Sequence, residues 1–275
     1  MKTIVVPIDF SAISENAAYY AAEMASVTGS NLALLHVCQV PLVISEIPVS
    51  QPQTEELIQE AFSRISQLRD QIFQQLKGDV KIDVDVKSGD VLTEINSFCS
   101  LLDTYAVVMG TESTTAFERL FFGGKTFEAL DEIPWPLIIV PENAVFSGIK
   151  KIGLACDLQQ IQETVPVAEI KKIVTDFQAE LHVLTVFKET AENLDANMIR
   201  ESRRLHVLLK DLLPVYHYSS AENIENEIVA FAEKSKFDFL MVIPKKHNLI
   251  SKLFTKSHSR NMLLQTHIPI LSIHD

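Results

Sequence analysis

Glycine is scarce in this chain and unevenly spent: of eight in 275 residues, only Gly153 lies beyond residue 148. A phosphate cradle needs positions without a Cβ, where backbone amides can close on oxygen, so the glycine-poor half lacks the means to build one. Cysteine is rarer still. Cys38, Cys99 and Cys156 lie far apart with no metal-ligand spacing, which favours buried thiols over a disulfide framework. No apolar run approaches the roughly 20 residues that span a bilayer. Met1-Lys2 runs straight into an apolar segment with no charged-then-apolar leader, so the expectation is a cytoplasmic protein without a membrane partner. Positive charge is in deficit, 24 Lys and Arg against 36 Asp and Glu, for a net -12. That balance argues against nucleic acid as a partner, because duplex affinity comes mainly from neutralising phosphates.

What the chain does have, it has twice. Each half opens with an apolar run ending in aspartate, Ile4 to Asp9 and Ile152 to Asp157, and a second run follows 23 and 24 residues later, Leu32 to Val37 and Leu181 to Val186. Each half closes with a matched pair, Ala106 to Gly110 before Pro136 to Val140, and Phe239 to Pro244 before Pro269 to Ile273; Gly110 to Pro136 and Pro244 to Pro269 are 26 and 25 residues. Four landmarks in one order at near-equal spacing indicate a tandem duplication. The expected units are 1–147 and 148–275, with the join between Glu142 and Lys151.

The short Val, Ile and Leu runs lack polar alternation, as strands buried on both faces of a parallel sheet do. Between them, Ser14 to Thr28 carries alanines at helical spacing and meets Gly29, where a helix would stop, with Ser11 or Ser14 as its cap. Thr54 to Leu76, Val91 to Leu102 and Asn193 to Leu213 read as further helices, and Val80 to Val86 and Val215 to Tyr218 as the third strand of each half. The fold class is therefore α/β, two doubly wound parallel five-stranded sheets.

In such sheets ligands bind at the carboxyl ends of strands, where helix N-termini present free amides. That rule selects Asp9 and Gly110 in the first half, Asp157 and Pro244 in the second. Asp9 either accepts hydrogen bonds from a ligand or caps the turn into the first helix. After Gly110-Thr111-Glu112-Ser113, nine residues precede Gly123-Gly124-Lys125-Thr126; the small residues admit phosphate to the backbone, Lys125 adds charge and Thr126 a hydroxyl. This is no Walker loop: Arg119 stands where the first glycine belongs, and the segment follows a fourth strand rather than a first. A Gly-x-Ser-x-Gly elbow and a His-Glu-x-x-His helix are absent. Seven of the eight histidines lie in the second half, at spacings that fit no zinc pattern, so no metal is expected. That half also gathers Lys245, Lys246, His247, Lys252, Lys256, His258 and Arg260, a basic cluster that reads as a solvated loop and helix face or, in an acidic protein, as a surface for an anion or an acidic partner.

Val6-Pro7-Ile8-Asp9-Phe10-Ser11, Leu34-Leu35-His36-Val37 and Val108-Met109-Gly110-Thr111 resemble the universal stress protein family, and the resemblance covers both halves. It implies a flavodoxin- or Rossmann-like fold of the adenine nucleotide alpha hydrolase type, with the two halves packed as an internal pseudo-dimer through Leu137 to Val140 and Ile270 to Ile273. It also implies an ATP or other adenine-nucleotide site. Asp9, flanked by Pro7 and Ile8, would face adenine and ribose, and Val37 would line the adenine pocket. Gly110, between Met109 and Thr111, would follow the phosphates with Ser113, Gly123 and Gly124, beside Lys125 and Thr126. Two positions depart from the family loop: Ser113 replaces a glycine and Gly124 a hydroxyl residue. The second half departs completely, with Pro244, His247, Ser257 and His258 at the corresponding places.

The expected function is a non-catalytic stress-response protein with a weak nucleotide site in the N-terminal half alone. A pure protein-interaction adaptor, pairing with an unknown partner or as a further homodimer, is the alternative. A slow nucleotide hydrolase is the third reading, for which Glu112 is the one nearby residue able to activate water.

Overall fold

The computed structural model describes residues 1–38, 51–111, 132–188, 196–243 and 267–273. The first half runs β1 (Thr3–Pro7), α1 (Ala12–Thr28), β2 (Asn31–Cys38), α2 (Gln51–Gln75), β3 (Ile82–Ser88), α3 (Val91–Ser100), β4 (Thr104–Thr111) and β5 (Leu137–Pro141). In the second half come β6 (Lys151–Ala155), a single turn α4 (Ile161–Thr164), α5 (Val167–Phe177), β7 (Glu180–Lys188) and α6 (Ala196–Leu209), which tightens into a 3-10 turn at Lys210–Leu212. It ends with β8 (Val215–Ala221), α7 (Ile224–Lys234), β9 (Phe239–Val242) and β10 (Ile270–Ser272). All ten strands expected from the apolar runs form.

Local chemistry sets the ends of the helices. Ser11 caps α1 by accepting the Ser14 N–H at 3.2 Å, and Gly29, at φ 63, turns the chain out of it. Asp90 and Asn223 cap α3 and α7 through the N–H groups of Thr93 and Asn226, each supplying one of the donors that a helix start leaves unpaired. In the second half the helix after the first strand begins later than in the first, because Pro166 stands at the N-cap of α5 and proline favours a first turn over a helix interior.

Each half lays its strands in the order third, second, first, fourth, fifth, the order of the first five Rossmann strands. Within each half every strand pair is parallel. The α/β class and the pairing through the last strands agree with the sequence, but the expected two sheets are one: β5 and β10 pair antiparallel, Ile270 opposite Ile139 and Leu271 opposite Ile138, in a ten-stranded sheet. The reason is physical. Both strands end their halves as apolar edges with unpaired N–H and C=O groups, and each satisfies the other.

The core lies on both faces of this sheet. Ile4 and Val6 of β1 are fully buried against the alanines of α1, while Val5 points to the opposite face with Ala33, Leu35 and Ile95, the period-2 alternation of a strand. On the α1 face the core runs without a break into Ile152, Leu154 and Ile170 of the second half. An ion pair crosses the join, and hydrogen bonds anchor the segment at it on either side. Lys2 pairs with Asp176 at 3.0 Å, and Asn16 donates to the Ala144 carbonyl at 3.1 Å. The Asp238 carboxylate accepts from the main-chain N–H groups of Lys150 and Lys151 at 2.8 and 2.9 Å. Cys99 and Cys156 are buried, Cys38 half-buried, and none is in a disulfide; burial pushes the Cys99 thiol up to about 11, against a hydrogen bond with Thr104.

Candidate functional site

Three neighbouring strands, β2, β1 and β4, end side by side and bring Val37, Pro7 to Asp9 and Met109 to Thr111 to one edge. Pro7, Ile8, Met109, Gly110 and Thr111 are buried, Val37 is half-buried and Asp9 is exposed. Ser113, Gly123, Gly124, Lys125, Thr126 and Glu112 lie outside the described residues, as does the basic segment from Lys245 to Arg260.

Asp9 resolves the choice the sequence left open by doing one job with one oxygen. Its Oδ1 accepts from the Ser11 N–H at 3.0 Å and the Ser11 hydroxyl at 2.6 Å, closing the turn into α1. Among the described residues Oδ2 makes no hydrogen bond. The turn forces Phe10 to φ 64, a left-handed conformation that costs a residue with a Cβ about 1 kcal/mol or more. The second half repeats the device: Asp157 Oδ1 accepts the Gln159 N–H at 3.1 Å, and Leu158 stands at φ 54.

Gly110 has a role that the phosphate reading did not foresee. A Cβ there would lie 2.5 Å from the Ile13 carbonyl oxygen and 2.6 Å from Ile13 Cγ2. The first turn of α1 thus sits directly on the end of β4. Gly153 is explained in the same way, since a Cβ would meet the Phe237 ring at 2.3 Å.

A layered stack flanks this edge. The Phe10 ring lies 4.6 Å from that of His36, whose Nδ1 is 2.7 Å from the Ile8 carbonyl oxygen, and the Arg64 guanidinium rests 4.1 Å over the other partner, Phe10. The bond to a carbonyl fixes Nδ1 of His36 as the protonated nitrogen, since a carbonyl only accepts. His36 was visible in the sequence as part of a strand end. Arg64 was not, because only the course of α2 brings it near.

At the corresponding edge of the second half a carboxylate fills the place. Glu201, 3 % exposed, reaches from α6 to accept the Ile161 N–H at 2.8 Å and pairs with Arg204. On the opposite face of this half's sheet, His182 Nδ1 and His217 Nε2 share a hydrogen bond of 2.9 Å, boxed by Phe231 and Phe237, with Glu180 3.5 Å from His182 Nε2. Burial, and then the neighbouring His182, hold the His217 pKa below its ordinary value. The unfolded chain therefore takes a proton near pH 6.5 that the folded chain refuses, so this contribution is intact above 6.5 and is lost as pH falls toward the lowered folded value. Urea unfolding at pH 7.5 and 5.5 should show a loss at the lower pH that shrinks in His217→Gln; equal losses in parent and variant would assign the acid sensitivity elsewhere.

A ten-stranded doubly wound α/β protein with its polar turn residues at one carboxyl edge defines the class. The profile of the universal stress protein family matches residues 1–141, and the chain belongs to that family. The structure is similar to that of a universal stress protein from Archaeoglobus fulgidus DSM 4304, at 18% identity and TM-score 0.71, covering 99% of this chain and 96% of that one. It is also similar to that of a functionally unknown protein from Pseudomonas aeruginosa PAO1, at 14% identity and TM-score 0.58, covering 100% and 92%. No curated protein sequence matches the chain. Among the described residues, no helix is long and apolar enough to cross a membrane, and no group of three or more His, Cys, Asp or Glu is placed to hold a metal ion.

Proposed function

We propose that this chain is a non-catalytic regulatory protein of the stress response, and that it binds an adenine nucleotide such as ATP weakly and only through its first unit, residues 1–147. The carrying observation is the asymmetry of the two edges. In the half that matches the family profile, Asp9 keeps one carboxylate oxygen without a hydrogen bond among the described residues, beside Val37 and Gly110. In the other half the buried Glu201 carboxylate, paired with Arg204, already takes up the Ile161 N–H after the first strand, a donor that an incoming phosphate would otherwise use.

Isothermal titration of the full chain with ATP tests this reading. The expected result is one site per chain, with affinity reduced about tenfold in Asp9→Asn, the size of a lost charge-assisted hydrogen bond. Phosphate release during the titration, or two sites per chain, would overturn it.

A further inference from the structure

We infer that Arg64 of α2 is the anion-binding residue of the first unit's edge: its guanidinium, seated on the Phe10–His36 stack, receives the phosphate-bearing part of the ligand. The inference rests on the reading of that edge as a ligand site and adds a residue from an element that the sequence motifs do not include.

Three observations carry it. The first is position. Phe10 follows Asp9 directly, and the Arg64 guanidinium carbon lies 4.1 Å from the Phe10 ring centre, so the cation stands beside the strand ends. The second is preorganisation. The Phe10 ring follows a backbone at φ 64 and packs against the core, the turn is held by Asp9 and Ser11, and the ring also meets His36, which is itself tied to Ile8. A flat guanidinium on such a platform keeps its N–H edge available and loses little freedom when an oxyanion arrives.

The third is charge. Elsewhere in this half, among the described residues, Arg69 pairs with Asp70, Lys81 with Asp83, and Lys87 with Asp85, while Lys77 stands exposed just past the C-terminal end of α2. Arg64 has no carboxylate partner among the described residues. In a chain of net charge -12 a polyphosphate is repelled at long range, and an unneutralised cation at the site lowers that barrier locally.

The test compares the parent with Arg64→Gln and Arg64→Lys, each titrated with ATP, adenosine and inorganic pyrophosphate at 50 mM and 500 mM salt. The expected result is a five- to tenfold loss of ATP affinity in Arg64→Gln at low salt, narrowing at high salt, with adenosine binding unchanged and Arg64→Lys intermediate. An equal loss for ATP and adenosine would show that Arg64 only props up the Phe10 platform, and would overturn the assignment, as would no loss at all. If the parent binds neither ATP nor adenosine, the nucleotide reading fails by itself, and pyrophosphate decides: binding by the parent that Arg64→Gln abolishes supports an anion site at Arg64, and absence of pyrophosphate binding overturns it.

Discussion

Leu271→Asp should cost about 4 kcal/mol and split the unfolding of this chain into two transitions. Leu271 is 1% exposed and sits in the middle of β10, opposite Ile138 across the antiparallel join and opposite Met241 on the parallel side. Among the described residues no cation or donor set is placed to receive a carboxylate there, and an unpaired buried charge costs several kcal/mol. Since β10 has only three residues, one such change removes most of the seam. The halves would remain tied by Lys2–Asp176 and the core shared between α1 and α5, which is weaker than a continuous sheet. Calorimetry gives the answer. One cooperative transition in the parent and two in the variant are expected, and a single transition with an unshifted midpoint would mean that the seam contributes little.

Gly110→Ala should destabilise the chain by about 3 kcal/mol although only one methyl group is added. Both contacts it would make are far inside the distance that real Cβ atoms keep, and one of them is a backbone carbonyl, which cannot rotate away as a side chain could. Overpacking a rigid contact of this kind costs about 1–3 kcal/mol, and the upper end applies when backbone must move. Gly29→Ala provides the contrast: nothing lies within 4 Å of a Cβ there, and the cost comes only from φ 63, about 1 kcal/mol. Urea midpoints for both variants check the ranking. In Gly110→Ala the displaced first turn of α1 should also weaken nucleotide binding, because Ser11 and Asp9 move with it. Equal midpoints for the two variants would show that α1 shifts without resistance.

The ten strands were legible because runs such as Ile4 to Ile8 have no polar residue on either face, which only a doubly covered sheet accommodates. Their meeting through the last strands was expected from the resemblance and from two apolar edges, but its outcome as one continuous sheet was not, because an edge strand and an interior strand have the same composition when both faces are buried. The turn at Asp9 was legible as a choice, and the structure shows the capping half of it, made through one carboxylate oxygen. Gly110 was singled out as a site glycine, and its close contact with α1 was not foreseen: nothing in a sequence distinguishes a glycine that admits a ligand from one that admits a helix. Arg64, Glu201 and the His182–His217 pair had no local signal, since each meets partners that are far away in the chain. Glu201 in particular looks in sequence like part of a wet helix face, along with Arg203 and Arg204, and is in fact buried.

The antiparallel meeting of β5 and β10 has a consequence for how the duplicated units can diverge. Reversal at the seam points the carboxyl ends of the first unit's strands to one rim of the sheet and those of the second unit to the opposite rim. Two molecules bound at equivalent places would be held apart by the full height of the sheet, unable to touch or share a contact. Each rim is consequently free to change without penalty to the other, while β10 stays under constraint as the strand that closes the neighbour's edge. A chain built this way can retire one rim from binding and still need every strand of the retired unit.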